Sequence, residues 1–481
     1  MAYRPTIGLE VHAELTTRTK MFCDSPNNPD EARPNANVCP VCLAHPGTLP
    51  TVNKQAVAHV LRVGSAVGGT LADYSEFDRK SYFYPDIPKG YQISQYAYPL
   101  VAGGTLAGVA ITRVHLEEDT ARSSHRSPRR GASHDEGAVS LVDFNRAGVP
   151  LMELVTDPVI HDAETAGKFA RELQLLLRTL GASHANLEKG EMRIEANISV
   201  SKDDTFGTKV EVKNLNSFRS VERAIAYEID RQTKALEEGV ALVQETRGWD
   251  EGKQQTFHQR FKEGSADYRY FPEPDIPKMK LSEVPEFSAD AIAATLPELP
   301  WDRRARYAAL GLKADAVEMF LNDGFMASLF EEVAEGAGND AEIMRLAANY
   351  IASDIVGLLA DNAAAGNREN LKAASFLALM QMIKEGTVSS RGAKDVLREL
   401  YASGGDPASI AKAKGLVQVH DEEALAKAVR DVIGANQAVA DEYRAGKEAS
   451  LQFLVGQAMK AMKGAGNPGK LKELLIREIS K

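Results

Sequence analysis

The chain has 481 residues, of which 44% are hydrophobic and 26% charged, and its formal net charge is −10. That length allows two to four domains at roughly 150 residues each, with ample chain to bury a large core. The acidic balance is unlike that of a stand-alone nucleic-acid binder, so any RNA contact is expected on one face or shared with a partner. The N-terminus lacks an apolar signal-peptide core, and the apolar runs fall short of a membrane span of roughly 20 residues. We therefore expect a cytoplasmic protein without membrane contact.

Before about residue 290 the sequence is rich in Pro, Tyr, Phe and Gly, and short runs alternate apolar with polar residues. Alternation of this kind predicts strands with one buried face. In chain order, the predicted elements are strands at Thr6–Leu15, Gly108–Leu116, Met192–Val200 and Thr208–Val212 and helices at Lys54–Val67, Ala163–Leu180 and Ser217–Glu238. The mixture predicts an α+β domain around a large, mainly antiparallel sheet.

After residue 290 the strand signals nearly vanish and helical spacing takes over. The first predicted group of helices is Trp301–Leu310, Ala314–Leu321, Ala327–Glu335, Ala341–Leu359, Asn370–Glu385 and Ser389–Tyr401. A break at Ser403–Pro407 precedes a smaller group at Glu422–Ile433, Val439–Lys447, Glu448–Met462 and Lys470–Ile479. The predicted division is an α+β domain at 1–292, a helical domain at 293–405 and a small helical tail domain at 406–481.

Charged and imidazole side chains share one face of each of three predicted strands, because strand side chains alternate. They are Glu10, His12 and Glu14 on the first, Arg113, His115, Glu117 and Asp119 on the second, and Lys209, Glu211 and Lys213 on the third. Glu118 points to the opposite face of its strand, and Glu195 adds a carboxylate on a fourth. Like charges at this spacing repel, and hard divalent cations take oxygen ligands. The pattern favours a phosphoryl-transfer site with Mg²⁺; the alternative is a set of solvated surface salt bridges.

The chain contains no GxxxxGK[ST] loop and no kinase glycine-loop set, so an ATP site here would be of an unusual kind. Two runs mix aromatic residues, prolines and charges, FDRKSYFYPDIPKGYQISQY at 77–96 and DYRYFPEPDIPK at 267–278. Such runs can line a rigid polar cleft or stack on RNA bases. The alternative is a pair of structured surface loops.

Three cysteines, Cys23, Cys39 and Cys42, are too few for a disulfide framework. Their C-x15-C-x2-C spacing would supply three of the four ligands of a structural zinc site. Ser25 stands where a fourth cysteine would complete the set, with an aspartate and a histidine nearby. Two interpretations stay open, a zinc site and a group of reduced thiols in a lobe that once held zinc.

The longer motifs together resemble one family, GatB, the B subunits of the aspartyl/glutamyl-tRNA amidotransferases. The matching text is IGLEVHAEL, NVCPVC, FDRKSYFYPDIPKGYQISQY, TRVHLEEDTA, SLVDFNRAGVPLMELVT, KVEVKNLNSFRSVERA, ETRGWDE, DYRYFPEPD and FLVGQAMKAMKG. The resemblance covers essentially the whole chain. The sequence lacks the large inserted domain of the archaeal relatives and in this respect resembles the bacterial members.

The resemblance implies one member of a heterotrimer, whose other members are a glutaminase (amidase) subunit and a small third subunit. It implies a cradle-shaped catalytic domain that uses ATP and Mg²⁺ to phosphorylate the side-chain carboxylate of tRNA mischarged with glutamate or aspartate. Ammonia from the glutaminase subunit would then displace the phosphate, giving Gln-tRNA(Gln) or Asn-tRNA(Asn). The helical parts would bind the tRNA.

By the resemblance, the catalytic residues are Glu10, His12, Glu118 and Glu211. The magnesium ligands it implies are His12, Glu118, Glu153, Glu195 and Glu211. Glu117 lies close by in the sequence. The family usually has Cys-Asp where this chain has Ile194-Glu195, so one ligand has a longer arm here.

The resemblance also implies roles outside the metal site. The zinc ligands would be Cys23, Cys39 and Cys42, with Ser25 in place of a family cysteine. The residues on the ammonia path would be Lys80, Tyr82, Lys89 and Asp275. The phosphate contacts of the tRNA would be Lys412, Lys414, Arg444, Lys447, Lys460 and Lys463.

Two other functions remain as alternatives. The chain could be a tRNA-binding scaffold whose kinase site has decayed, although the acidic set that it keeps argues against that. It could also be a free-standing, metal-dependent phosphotransferase, which would turn over without partner subunits.

Overall fold

The computed structural model describes residues 3–126, 139–261, 268–338, 340–361, 366–418, 422–462 and 468–480. The chain falls into two compact units, Met1–Pro300 and Trp301–Lys481. The second contains two separate apolar cores. The three-part division expected from composition, with boundaries at 292 and 405, stays a prediction.

The first unit is built on strands. They are β1 (Arg4–Glu14), β2 (Thr70–Leu71), β3 (Tyr74–Ser75), β4 (Asp78–Ser81), β5 (Tyr91–Ser94), β6 (Val101–Ala102), β7 (Thr105–Leu106), β8 (Val109–Glu118), β9 (Arg122–Arg126), β10 (Val139–Asp143), β11 (Pro150–Thr156), β12 (Met192–Ser201), β13 (Val210–Lys213), β14 (Glu245–Asp250), β15 (Gln255–Phe261), β16 (Phe271–Pro272) and β17 (Met279–Lys280).

Ten of the described strands form one sheet in the order β15–β14–β13–β12–β1–β11–β8–β6–β2, with β7 also paired to β8. The β13–β14 pair is parallel, and the other neighbours run antiparallel. The predicted α+β class is confirmed.

Strand β1 lies at the middle of this sheet, between β11 and β12. Its apolar face, Ile7, Leu9, Val11 and Ala13, is at most 1% exposed. Burying side chains of the larger types stabilises the fold by roughly 1.5–3 kcal/mol each. A slip of one residue would turn this face outward, so burial fixes the register of β1 and with it the positions of Glu10 and His12.

Helices α1 (Lys54–Ala66), α2 (Ala163–Thr179) and α3 (Phe218–Glu237) agree with prediction to within one residue, and a short α4 (Ala289–Ala293) follows. The first three begin at capping side chains. Asn53 accepts hydrogen bonds from Gln55 N and Ala56 N, and Asp162 and Ser217 cap α2 and α3 in the same way. Such caps satisfy backbone donors that the first helical turn leaves without partners.

The two aromatic–proline runs meet in a small sheet, β16–β4–β5. Phe271 pairs with Arg79, and the Arg79 guanidinium binds the buried Glu273 through two hydrogen bonds of 2.7 and 2.8 Å. The guanidinium also lies 4.3 Å from the centre of the Tyr91 ring. A bidentate, buried pair of this kind fixes the relative position of both runs.

The second unit is helical. Its described helices are α5 (Pro300–Ala309), α6 (Ala314–Asn322), α7 (Gly324–Gly336), α8 (Ala341–Tyr350), α9 (Val356–Ala360), α10 (Ala373–Lys384), α11 (Ser390–Ser403), α12 (Pro407–Ala413), α13 (Glu422–Ala435), α14 (Gln437–Arg444), α15 (Glu448–Ala461) and α16 (Pro468–Ile479). One core centres on Tyr307, Phe320 and Phe330, whose rings pack within 6.0 Å of one another. The other joins α13, α15 and α16 through residues such as Leu425, Leu454 and Leu475.

The segment Ala341–Ala360 is long and apolar enough to cross a membrane by length and composition, which was not expected from the sequence. A π-helical turn at Ile351–Ile355 joins α8 to α9 within it. Its side chains Ile343, Ala347 and Ile355 lie in the first core of the helical unit. That burial is what a core helix requires.

Candidate metal centre and its surroundings

The polar face of the central strands gathers carboxylates and imidazoles at one place. In the antiparallel registers, His12 stands opposite Glu153 on β11, Glu153 stands opposite His115 on β8, and Glu10 stands opposite Glu195 on β12. Directly opposed side chains in a sheet are close neighbours. The registers therefore bring together Glu10, His12, His115 and Glu153, and Glu117 joins them from the same face of β8 as His115. We call these five residues the acidic cluster.

The imidazole of His12 lies at the middle of the acidic cluster. Its Nε2 is 3.3 Å from Glu153 Oε2, 3.5 Å from Glu117 Oε1 and 3.7 Å from Glu10 Oε1. His115 Nε2 approaches the same Glu153 oxygen, at 3.4 Å. Two groups of three have ligand atoms within 4.8 Å of one another, Glu10–His12–Glu153 and His115–Glu117–Glu153, and they share Glu153.

The pKa values of the cluster reflect an excess of negative charge in a buried place. Burial raises the pKa of Glu10 to about 7, and the neighbouring Glu153 and Glu195 add to the shift. Burial alone would lower the pKa of His12, but a hydrogen bond to Glu153 and attraction by Glu153, Glu117 and Glu10 raise it to about 9. The two imidazoles hold the pKa of Glu153 well below its usual value despite burial. The cluster thus favours positive charge, and in the absence of a metal ion the protons retained by His12 and Glu10 supply it.

Three carboxylates and two imidazoles match the donor chemistry of a divalent cation. Carboxylate oxygens suit Mg²⁺ or Mn²⁺, and the imidazole nitrogens suit Mn²⁺ better than Mg²⁺. His115 Nδ1 is buried and makes no hydrogen bond among the described residues. The residues present therefore fit a hard divalent ion held chiefly by carboxylates.

Two predicted ligands, Glu195 and Glu211, lie beside the acidic cluster rather than within either group of three. Glu195 Oε2 binds Lys213 Nζ at 2.7 Å, and the same Nζ lies 3.7 Å from Glu211. Glu211 also accepts a hydrogen bond of 2.7 Å from Thr246. Lys213 thus partly neutralises these carboxylates, and the attraction of both raises its pKa although burial opposes the shift.

Glu118, predicted as a catalytic residue and ligand, belongs to neither group of three. Its carboxylate binds Lys89 Nζ at 2.5 Å and accepts a hydrogen bond of 2.9 Å from Ile93 N. Glu117, one residue earlier, is the one that faces His12. The alternation of a strand explains this division, because consecutive side chains leave opposite faces.

Of the four residues predicted along an ammonia path, two line one cavity of the described structure and the other two do not line it. Lys89 and Asp275 line a cavity of about 280 Å³ together with Glu118, Cys23 and Cys42. Lys80 lies near the acidic cluster instead, with its Nζ 5.0 Å from the centre of the Tyr268 ring. Burial by itself would lower the pKa of Lys80, but the attraction of Glu117, Tyr270 and Glu153 raises it. Tyr82 packs against Tyr84, with ring centres 4.5 Å apart.

Comparison with known proteins connects this cluster to a family. Residues 5–285 match the family model described as the GatB/GatE catalytic domain, and residues 328–479 match the one described as the GatB domain. Over 99% of this chain and 97% of the relative, the chain is 42% identical to a Synechocystis protein named as the B subunit of aspartyl/glutamyl-tRNA(Asn/Gln) amidotransferase. It is also 42% identical to a Physcomitrium patens protein named as the chloroplastic/mitochondrial B subunit of glutamyl-tRNA(Gln) amidotransferase, over 99% of this chain and 86% of that one.

This chain belongs to the GatB family of amidotransferase subunits. The acidic cluster lies wholly inside the matched catalytic domain. His115 and Glu117 complete the cluster but were not among the predicted ligands. The signal that identifies them is local, since both share a strand face with Arg113 in the run RVHLEED.

The three cysteines of this GatB family member converge, as their spacing predicts. The sulfur atoms of Cys23, Cys39 and Cys42 lie within 4.8 Å of one another. Ser25 Oγ and Lys20 Nζ are each 3.8 Å from Cys42 Sγ, and Lys20 is only 1% exposed. Three thiols fit zinc, whereas the hydroxyl and the buried amine beside Cys42 are not usual zinc ligands. Zinc at this lobe therefore stays a prediction.

The predicted tRNA contacts of this GatB family member are exposed where the structure describes them. Lys463 lies outside the described residues. Several of the others pair with carboxylates of the same chain: Lys414 with Glu399, Arg444 with Asp441 and Lys447 with Glu442. Exposed pairs like these are weak and salt-screened, so a phosphate can compete for the cations. Lys412 and Lys460 complete the exposed set.

Proposed function

We propose that this chain phosphorylates the side-chain carboxylate of Glu-tRNA(Gln) or Asp-tRNA(Asn) with ATP and Mg²⁺, and that ammonia then displaces the phosphate. The observation that carries the proposal is the acidic cluster, whose two groups of possible ligands share Glu153, inside the matched catalytic domain. The ammonia would come from a glutaminase subunit, and a small third subunit would complete the heterotrimer in the cytoplasm.

A carboxylate is a poor electrophile, because its negative charge repels a nucleophile. In the first step its oxygen attacks the γ-phosphorus of ATP, the bond to the bridging oxygen breaks, and ADP leaves. In the second step ammonia attacks the acyl carbon, the C–O bond to phosphate breaks, and amide and phosphate result. Bound Mg²⁺ would offset charge on the phosphoryl group. The ion would be held by Glu153, either with Glu10 and His12 or with His115 and Glu117.

The chain's own cations surround the acidic cluster and suit the anions of this reaction. Arg113 Nη2 is 3.5 Å from Glu153, and Lys213 bridges Glu195 and Glu211. Lys80, from the aromatic–proline run 77–96, lies near Glu117 and Glu153. Preorganised cations stabilise developing charge without the cost of reorienting solvent.

A cavity of about 290 Å³ adjoins the cluster on the same strands and suits the nucleoside part of ATP. Its lining includes Gly8 and Thr6 of β1, Asn197 of β12, and the loop residues Phe206 and Lys209. Gly8 lies two residues before Glu10 on the same strand face. Phe206 is 73% exposed and offers a ring to a base, and Asn197 offers an amide for hydrogen bonds.

Mg²⁺ binding is expected to release about one proton near pH 7.5 and to strengthen as the pH rises from about 6 to about 9. His12 and Glu10 must lose their protons to act as ligands, and their pKa values are raised to about 9 and about 7. A higher pH removes those protons first, so the apparent Kd falls. Titration calorimetry in two buffers of different ionisation enthalpy measures the release. Binding that is independent of pH, without proton release, would contradict the assignment of these ligands.

The test of the proposed function uses the complex as it exists, co-expressed with its partner subunits. The complex is incubated with ATP, Mg²⁺, glutamine and either Glu-tRNA(Gln) or Asp-tRNA(Asn), and the attached amino acid is identified after hydrolysis. We expect the amide on at least one tRNA, only with ATP and Mg²⁺. Conversion without ATP consumption, or with this chain omitted, would refute the proposal.

A further inference from the structure

A pair of stacked tyrosine rings stands outside the acidic cluster and has no part in the two chemical steps proposed above. Tyr96 follows β5, and Tyr270 precedes β16, so each comes from one of the two aromatic–proline runs. Their ring centres are 4.5 Å apart and their planes differ by 15°. Tyr96 nevertheless remains 53% exposed, which leaves ring surface open to solvent.

The backbone, rather than an apolar core, holds these rings in place. The buried carboxylate of Asp78 accepts hydrogen bonds from Tyr96 N at 2.9 Å and from Ala97 N at 3.3 Å. On the other run, Arg269 has a φ of 45°, in the left-handed region that residues with a side chain seldom adopt. Strain of this kind persists where the surroundings impose it, and it concentrates at functional sites.

The stack lies next to the acidic cluster. The ring centres of Tyr270 and Tyr268 are 6.1 Å apart, and Lys80 Nζ is 5.0 Å from the Tyr268 ring. Burial chiefly, with the charges of Glu153 and Glu117, raises the pKa of Tyr270 to about 12, although the charge of Lys80 opposes the shift. The ring of Tyr270 therefore separates a molecule stacked on Tyr96 from Tyr268 and Lys80, which lie beside the acidic cluster.

We propose that the exposed face of Tyr96 takes the terminal, unpaired adenine of the aminoacylated tRNA 3′ end. The inference rests on the proposed function and adds the element that positions the substrate. Single-stranded RNA ends bind by stacking on aromatic rings beside cations. The same two runs carry Lys80, whose Nζ lies over the Tyr268 ring, and the exposed Arg269, whose guanidinium lies 5.4 Å from the centre of the Phe83 ring. The amino acid is esterified to the ribose of that same nucleoside, so holding the base delivers the side-chain carboxylate toward the cluster.

The adenine of ATP is the competing occupant. The cavity beside Gly8 provides ATP with its own lining of strand residues and Phe206, in direct continuation of Glu10 on β1. Tyr96 has no such enclosure among the residues that the structure describes and presents an open ring, which suits a base at the end of a large molecule. The two sources of adenine predict different kinetic effects.

The test compares the complex with Tyr96→Ala, Tyr96→Phe and the matched control Tyr98→Ala. Tyr98 lies two residues along the same loop and is 47% exposed, but its ring packs edge-on against Tyr74. Tyr96→Ala is expected to raise KM for mischarged tRNA about tenfold and to leave KM for ATP unchanged. Tyr96→Phe and Tyr98→Ala should keep KM for tRNA near that of the unaltered complex.

A direct readout uses tRNA with 2-aminopurine as its 3′-terminal base, whose fluorescence falls on stacking. We expect quenching with the unaltered complex and with Tyr98→Ala, and loss of that quenching with Tyr96→Ala at saturating protein. An unchanged KM for tRNA and unchanged quenching in Tyr96→Ala would refute the stacking of the terminal adenine on Tyr96. A rise in KM for ATP alone would assign the ring to the nucleotide. Failure of the proposed function is distinguishable, because the unaltered complex would then make no amide.

Discussion

Glu153→Gln is expected to lower Mg²⁺ affinity and ATP-dependent amide formation by at least about 100-fold, the scale at which even groups supporting a metal site act. Glu153 belongs to both groups of possible ligands and contacts both imidazoles. Its pKa is held well below the usual value, so it keeps its negative charge at a lower pH than an isolated carboxylate does. Glutamine keeps the shape and removes that charge.

The measurement is a Mg²⁺ titration of the complex together with the initial rate of transamidation. Glu188→Gln serves as the control, since Glu188 is an exposed carboxylate of the same unit. Unchanged hydrogen-exchange protection in β1 and β11 verifies that the variant keeps its sheet. Full activity with unchanged Mg²⁺ dependence in a folded Glu153→Gln complex would remove the acidic cluster from the mechanism.

Lys89→Met is expected to destabilise the first unit by about 3–5 kcal/mol, because it leaves the Glu118 carboxylate buried without its cation. The pair is tight and both side chains are largely buried, with 12% of Lys89 and 6% of Glu118 exposed. The double change Lys89→Met with Glu118→Gln should recover much of that loss, since no uncompensated charge then remains. Native-state hydrogen exchange at the amides of β8 reports the free energy.

The single change Glu118→Gln, compared with Glu153→Gln, tests the assignment of Glu118. If Glu118 acts by pairing with Lys89 and accepting the hydrogen bond from Ile93, as its contacts indicate, then Glu118→Gln leaves Mg²⁺ affinity within about twofold of the unaltered complex. Glu153→Gln is then expected to lower that affinity. If Glu118 is a magnesium ligand, as the resemblance implies, the two variants lose Mg²⁺ affinity alike. Each result excludes the other assignment.

Much of the fold is predictable from sequence because its main elements have strong periodicity. Strand β1 alternates from Thr6 to Ala13, and α2 and α3 each begin at a polar residue that caps the helix. The alternation also divides Glu117 from Glu118 correctly, since it is a local consequence of strand geometry. Most helices of the second unit follow equally from their spacing. The exceptions are α12 (Pro407–Ala413), which was not predicted, and the π-helical turn at Ile351–Ile355.

The composition of the candidate site depends on long-range register, which local patterns do not contain. Nothing near His12 in the sequence shows that Glu153 stands opposite it, or that Glu153 also faces His115. The partner of Glu118 is likewise a lysine from a separate run of the chain. The same limit applies to the tyrosine stack, since Tyr96 and Tyr270 meet where strand pairing and the Arg79–Glu273 pair join their two runs.

The most direct test of carboxylate activation by this chain is a trap for the acyl phosphate. The complex, with ammonia and glutamine withheld, is incubated with Glu-tRNA(Gln) or Asp-tRNA(Asn), ATP, Mg²⁺ and hydroxylamine, which attacks acyl phosphates as ammonia does. We predict a hydroxamate at the side-chain carboxyl of the tRNA-bound amino acid, with one ADP formed for each side-chain hydroxamate, and its loss in Glu153→Gln. The α-hydroxamate that hydroxylamine forms from the aminoacyl ester without ATP is a different product and is counted separately. ADP formation without the side-chain hydroxamate, or side-chain hydroxamate without ATP, would contradict the proposed activation.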